Sequence, residues 1–211
     1  MKKSILVIGM GRVGVHLAEN MQKLGNDVVI VDNKPEVIEK MSSKFTDAII
    51  GDCTNEDVLE SIGVADFDVC FVMIAENFQS SLEVTSLLKE HGAKKVVSKA
   101  NTKIQQKFLK RNGADVVIYP EYDAAKRLAD RFNMDNVFDC IELNEEYAIY
   151  EILVPKKWIG KNLEEIGVRK THQINVLMTK NNGELNPLPG GAYVFREDDH
   201  LIALGKAEDI A

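Results

Sequence analysis

Two periods alternate along the first 120 residues. Short β-branched runs stand at Ser4–Ile8, Asp27–Val31, Ala48–Ile50, Val69–Ile74, Lys95–Val97 and Val116–Ile118. Between them apolar residues recur at helical spacing: Val13, Leu17, Met21 and Leu24 form one stripe, and Leu82, Thr85, Leu87 and Leu88 another. Runs that are apolar on both faces suit a parallel sheet covered by helices on each side. Six such runs alternating with helices predict an α/β, Rossmann-like doubly wound parallel sheet with right-handed crossovers. The punctuation agrees. Gly25 and Gly92 follow helical stripes as C-terminal stops, Pro35 takes a first helical position, and Thr54-Asn55-Glu56-Asp57 opens a helix with acidic residues in its first turn.

The pattern changes after Pro120. Residues 121–138 predict a helix and hinge, with Ala124, Leu128, Ala129 and Phe132 opposite Lys126, Arg127, Asp130 and Arg131, and a break at Asn133-Met134-Asp135-Asn136. From about Asp139 a small α+β module follows. Tyr147–Val154 alternates like a half-buried strand, Leu163–Ile166 is a short helix, and Asn175–Thr179 and Leu201–Leu204 are further strands. Asn181-Asn182-Gly183 is a turn. The organisation read from this is a nucleotide-binding domain at 1–120, a helix and hinge at 121–138, and a module at 139–211. A module of about 70 residues has a thin core by itself, which favours pairing with a second copy.

Composition adds little beyond exclusions. The chain has 211 residues, 45% of them hydrophobic and 28% charged, as in an ordinary globular protein. The longest apolar run, Cys70 to Ala75, is far too short to span a bilayer. Met1-Lys2-Lys3-Ser4 leads straight into a strand with no small-residue cleavage site, so no secretory signal is expected. Cys53, Cys70 and Cys140 are scattered without zinc spacing, which points to a reducing cytoplasmic setting. A net charge of −7 argues against nucleic acid as a partner.

The candidate chemistry begins at Gly9-Met10-Gly11-Arg12-Val13-Gly14, a G-x-G-x-x-G run placed directly between a strand and a helix. Gly9 permits the tight turn, Gly11 lets the backbone approach phosphates, and Gly14 allows helix and strand to pack closely. The helix N-terminus offers free N–H groups and a partial positive charge to an anion. Asp32 ends the second strand, 18 residues after Gly14, with Asn33 and Lys34 beside it. A carboxylate there accepts from ribose hydroxyls and repels a 2′-phosphate, favouring NAD(H), ATP, ADP or AMP over NADP. Arg12, inside the loop, is placed to touch a phosphate directly or to reach a neighbouring subunit.

Three further segments sit where ligands of open α/β sheets bind, beyond the carboxyl ends of strands. They are Gly51-Asp52-Cys53-Thr54, Ile74-Ala75-Glu76-Asn77 and Ser98-Lys99-Ala100. A catalytic apparatus is not evident. His172 and His200 lie in polar stretches, His16 and His91 read as surface residues of helices, and no triad ordering, HExxH or nucleophile elbow occurs. The nucleotide reads as a ligand rather than a reactant.

Taken in order, these segments resemble the RCK (regulator of potassium conductance) proteins, specifically the Trk/Ktr-type cytosolic regulators of bacterial potassium uptake in their single-RCK form. Gly51-Asp52-Cys53-Thr54 is close to the family's G-D-A-T, Ile74-Ala75-Glu76-Asn77 to its I-G-E-N, and Ser98-Lys99-Ala100 to its V-K-A. Tyr119-Pro120-Glu121 resembles the segment opening its crossover helix. Ile159–Leu163, Val168-Arg169 and Asp198–Gly205 match its C-terminal module. Two departures are Cys53 for alanine and Ala75 for glycine. Either narrows the pocket and alters nucleotide preference.

The resemblance implies a regulator and not an enzyme: a homo-oligomer, dimers building to a ring, typically an octamer, docked on a membrane potassium-translocating subunit. Adenine nucleotide in the N-terminal lobe would change the ring and gate the pore, placing the chain at the inner face of the plasma membrane through its partner. Carried onto this sequence, Asp32 holds the ribose, Asp52 and Cys53 line the adenine pocket, and Arg12 and Lys99 meet phosphates. Glu121 matches a position that helps bind a divalent cation in some relatives. Arg169 falls near the cyclic di-AMP site of others. The competing readings are an NAD(H)-dependent Rossmann oxidoreductase and a nucleotide sensor that docks elsewhere.

Overall fold

A computed structural model describes residues 2–133, 137–144 and 146–210, which fall into two compact units, Met1–Tyr122 and Asp123–Ala211. The first unit alternates strands and helices: β1 (Ser4–Ile8), α1 (Arg12–Lys23), β2 (Asp27–Asp32), α2 (Pro35–Glu39), β3 (Asp47–Ile50), α3 (Glu56–Ile62), β4 (Val69–Val72), α4 (Phe78–Glu90), β5 (Val96–Lys99), α5 (Lys103–Arg111) and β6 (Val116–Ile118). The strands form one parallel sheet in the order β3-β2-β1-β4-β5-β6, the doubly wound arrangement expected. Alternate residues of β1 feed opposite layers. Ile5 and Val7 pack with Val28, Ile30, Ala18 of α1 and Ile38 of α2, while Leu6 and Ile8 pack with Val72, Leu59 of α3 and Leu88 of α4. That two-sided burial is why the strand sequences carry apolar residues at nearly every position.

Several boundaries differ from the sequence expectation. The strand expected at Val69–Ile74 stops at Val72, because Met73 to Asn77 leave the ladder after Met73 N–H donates to the Ile8 carbonyl (2.7 Å). The fifth strand is Val96–Lys99, not Lys95–Val97, so Lys99 lies on the sheet itself. Leu24 does not belong to the α1 stripe. The helix ends at Lys23, Gly25 takes φ +83°, and Leu24 is 77% exposed. His91 is half-buried, 3.7 Å from Glu56, while His16 is exposed.

The helix expected over 121–138 is α6 (Pro120–Asn133); Val137 and Phe138 instead open a strand, β7 (Val137–Glu142), and residues 134–136 of the expected break lie outside the described residues. β7 carries a register shift between Val137 and Asp139, so its buried residues, Val137 and Cys140, are three apart and imitate helical spacing. The second unit continues with β8 (Tyr147–Leu153), α7 (Leu163–Ile166), α8 (Val168–Thr171), β9 (Asn175–Asn181), β10 (Glu184–Asn186), β11 (His200–Lys206) and α9 (Ala207–Ile210). Its antiparallel sheet has the order β10-β9-β11-β8-β7. β8 and β11 alternate strictly, burying one face over Trp158 and Phe195. Asn182 (φ +48°) and Gly183 (φ +86°) turn β9 into β10, a pair of left-handed residues suited to a two-residue hairpin.

Polar groups reinforce this second core. Asp199 is fully buried; its Oδ1 accepts from Asn181 Nδ2 (2.6 Å), and its Oδ2 from the Tyr193 hydroxyl (2.9 Å) and Arg196 N–H (2.8 Å). On the other face, Glu151 Oε1 lies 2.8 Å from both Lys180 Nζ and His200 Nδ1. His200 also packs on Phe138, and His172 on Trp158. The two histidines thus have structural partners that their local sequence does not reveal.

Candidate functional site

The carboxyl ends of the first unit's strands open on a cleft of about 800 Å³. It lies at the switch point where β1 is flanked by β2 on one side and β4 on the other, and the chain order reverses. Met10-Gly11-Arg12-Val13 forms its floor, Asp32, Asn33 and Lys34 one wall, Asp52 and Cys53 the next, and Ile74 to Asn77 the opposite wall. Lys99 and Glu121 close the far end.

The three glycines of the loop have three different physical reasons. Gly9 has φ +92°, and a side chain there would press on the Met73–Ile74 peptide at 3.1 Å. At Gly14 a Cβ would sit 2.1 Å from the Gly9 carbonyl oxygen, so only glycine lets α1 pack on the loop. Gly11 has an ordinary extended conformation (φ −69°, ψ −176°), and a Cβ there would meet nothing within 4 Å. The fold does not require glycine at this position; a group approaching from the cleft would. Gly11 is also the N-cap of α1, which has no side-chain cap and no acidic residue in its first turn. Its leading N–H groups and partial positive charge are therefore left to an anion.

Asp32 is fixed by the loop that it faces. Its Oδ2 accepts from Met10 N–H (2.7 Å) and its Oδ1 from Lys34 N–H (2.9 Å). The carboxylate keeps further lone pairs for a sugar hydroxyl, since each oxygen can accept twice. Asp52 forms a local turn, Oδ1 accepting from Thr54 N–H (3.0 Å) and hydroxyl (2.8 Å). Cys53 lines the cleft but is otherwise packed into the core. Burial first, then the neighbouring Asp52 and Asp32, push its thiol up to about 12, so it is protonated at neutral pH and is no nucleophile. Asn77 caps α4 by accepting from Ser80 N–H (3.2 Å), and Lys34 and Glu76 approach to 3.9 Å across the exposed mouth.

At the far end, Lys99 Nζ donates to Glu121 Oε1 at 2.6 Å. Lys99 is 7% exposed at the end of β5, whereas Glu121 is half exposed in the first turn of α6. The hydrogen bond from Lys99 holds the Glu121 carboxyl below the usual carboxylate range against burial, which raises it; its own backbone N–H and the charges of Lys99 and Arg12 add to the lowering.

Most residues singled out from the sequence thus converge on one cleft, but five do not. Ser98 and Ala100, either side of Lys99, are fully buried, with Ser98 Oγ 2.8 Å from Thr85 Oγ1. The other three are Gly14, Thr54 and Arg169. Gly14 lies behind the loop because its lack of a side chain serves packing, and the Thr54 hydroxyl is turned back onto Asp52. Arg169 belongs to the second unit, exposed on α8, with Nε donating to Asn175 Oδ1 (2.9 Å). Conversely Ile8, Val37, Met73 and Ser80 also line the cleft. Ile8 and Met73 adjoin the expected segments at strand ends, and Ser80 lies one helical turn beyond Asn77. Val37 carries no local signal. Among the described residues no three His, Cys, Asp or Glu side chains converge as a metal site, and Glu121 is engaged by Lys99. This chain's described residues do not by themselves fit a divalent cation there.

Comparison with known proteins agrees along the whole chain. It is 34% identical over 211 residues to Ktr system potassium uptake protein C of Bacillus subtilis, covering 100% of this chain and 96% of that one. It is 33% identical over 208 residues to Ktr system potassium uptake protein A of the same organism, covering 99% and 94%. Among solved structures, the GsuK channel superposes with a TM-score of 0.72 at 16% identity, covering all of this chain and 38% of the channel's. Its NAD-bound form gives 0.67, with the same coverage. At that identity the likeness speaks to fold alone. Residues 5–120 match the TrkA-N domain and residues 147–211 the TrkA-C domain, so the chain belongs to the TrkA family of paired N- and C-terminal domains.

Proposed function

We propose that the protein is a nucleotide-sensing regulatory subunit of a potassium uptake system, with an adenine nucleotide held in the first unit's cleft. The observation that carries this reading is the contrast within the glycine loop: Gly11 is glycine although the fold leaves room for a side chain, beside an uncapped helix N-terminus. A phosphate there accounts for both. Asp32 then takes the ribose and disfavours a 2′-phosphate, and Asp52 and Cys53 border the base. NAD(H), ATP, ADP and AMP all present this chemistry, and the NAD-bound GsuK structure shares the fold.

The family membership supports the rest of the reading: copies of the chain assemble, as dimers and then a ring, on a membrane potassium-translocating partner at the inner face of the membrane. No described helix is long and apolar enough to cross a membrane, and in this reading the pore belongs to the partner. A ligand shifts such an assembly only by binding one of its shapes more tightly, and a coupling of about 1–3 kcal/mol per site is enough when summed over several copies. The cleft favours binding over turnover. Among the described residues no histidine lines it, and the Cys53 thiol is held protonated.

Titration calorimetry of the purified protein with ATP, ADP, AMP and NADH, alongside NADH oxidation assays with small carbonyl substrates, tests this. Saturable binding without turnover is expected. Steady NADH turnover would replace the reading with that of an oxidoreductase.

A further inference from the structure

The Lys99–Glu121 pair carries a consequence for selectivity. A buried ammonium is costly unless neutralised, and Lys99, almost fully buried on β5, is neutralised by Glu121 at 2.6 Å. Both groups line the same cleft as Gly11 and Arg12. The Lys99 side chain is packed in place, with 6% exposure, while that of Glu121 is 54% exposed. The carboxylate is therefore the partner with room to leave. A phosphate is a stronger and more highly charged acceptor for the same donor.

We propose that Glu121 is a built-in competitor of the nucleotide: phosphate and carboxylate exchange on the Lys99 ammonium, and Glu121 thereby grades ligands by phosphate charge. With Glu121 in place the far end of the cleft carries Arg12, Lys99 and one carboxylate. Displacing the carboxylate lets the phosphate meet both cations directly. A ligand of low phosphate charge displaces Glu121 poorly, and one of high charge displaces it well. The exchange also has an output. Glu121 sits in the first turn of α6, where a carboxylate is favoured by the helix end, and the later residues of that helix belong to the second unit.

This inference rests on the nucleotide reading of the cleft, and calorimetry on the full chain separates the two. If the unmodified protein binds no adenine nucleotide, the underlying reading fails. If it binds, Glu121→Gln in chelator-treated buffer is expected to tighten ATP about tenfold, ADP less and AMP least, leaving adenosine unchanged. Repeating Glu121→Gln in a Lys99→Met background should abolish the gain, because the competition needs the ammonium. Should Glu121→Gln fold poorly, Glu121→Asp, which withdraws the carboxylate by one methylene, should tighten ATP in the same direction by a smaller factor. Unchanged or weakened ATP binding in whichever folded Glu121 variant is measured, or the same gain in the absence of Lys99, overturns the proposal.

Discussion

In the first unit Asp32, Asp52 and Lys99, at or just beyond the carboxyl ends of β2, β3 and β5, line a cleft, whereas in the second the buried Asp199 is bonded to its neighbours. Asp32 braces Met10 and Lys34 and still faces open space; Asp199 is enclosed by Asn181, Tyr193 and Arg196. The difference follows from strand direction. A parallel sheet ends all its strands on one side, so loop backbones and helix N-termini collect there. An antiparallel sheet returns the chain by hairpins, and its polar residues find partners across neighbouring strands. The half-buried Asp32 therefore keeps acceptor capacity toward the cleft, whereas the fully buried Asp199 spends its own on support.

The sharpest way to break that comparison is Asp199→Ala. It removes a fully buried acceptor of three part-buried hydrogen bonds and is expected to destabilise the second unit by about 3 kcal/mol. Denaturant unfolding followed by Trp158, the chain's one tryptophan, reads this directly. Nucleotide affinity should be unchanged, and a parallel loss would show that the units are not separable in this sense. Next in size is Gly14→Ala. The Cβ 2.1 Å from the Gly9 carbonyl forces the loop off α1, costing about 2 kcal/mol of stability and abolishing binding.

Gly11→Ala sharpens the contrast. Stability measured by denaturant should stay within about 0.5 kcal/mol, since the methyl meets nothing. ATP affinity should fall about tenfold or more as the phosphate is pushed from the N–H groups. Equal stability and equal affinity would remove the case for a phosphate at this loop. The smallest effect concerns acid. Burial raises the Glu151 carboxyl, but hydrogen bonds from Lys180 and His200 outweigh it and the net direction is down from 4.5. A lowered folded-state value stabilises above the unfolded value and loses that contribution as pH falls through the folded one. Thermal unfolding scanned downward from pH about 4.5 should therefore lose less in Glu151→Gln than in the unmodified chain.

The sequence pattern made the first unit's strands, helices and rim segments legible because period and punctuation coincide there. A glycine loop between strand and helix, and polar residues at strand ends, are local facts. The packing role of Gly14 is legible from the motif, but Thr54, Ser98 and Ala100 are harder to place, since whether a residue faces the cleft or the packing behind it depends on atoms from elsewhere. β7 was illegible for a definable reason: its bulge gave a strand the spacing of a helix. The Lys99–Glu121 pair joins residues 22 apart across β6, and only the sheet order brings them together.

Asp32 has one more consequence, and it concerns time. Both of its oxygens are already anchored on main-chain N–H groups, so on the proposed reading a sugar would meet an acceptor that needs no ordering. Arrival would then be limited by diffusion and orientation rather than by ordering of this carboxylate. How promptly such a sensor registers a fall in its ligand would be left to the departure rate.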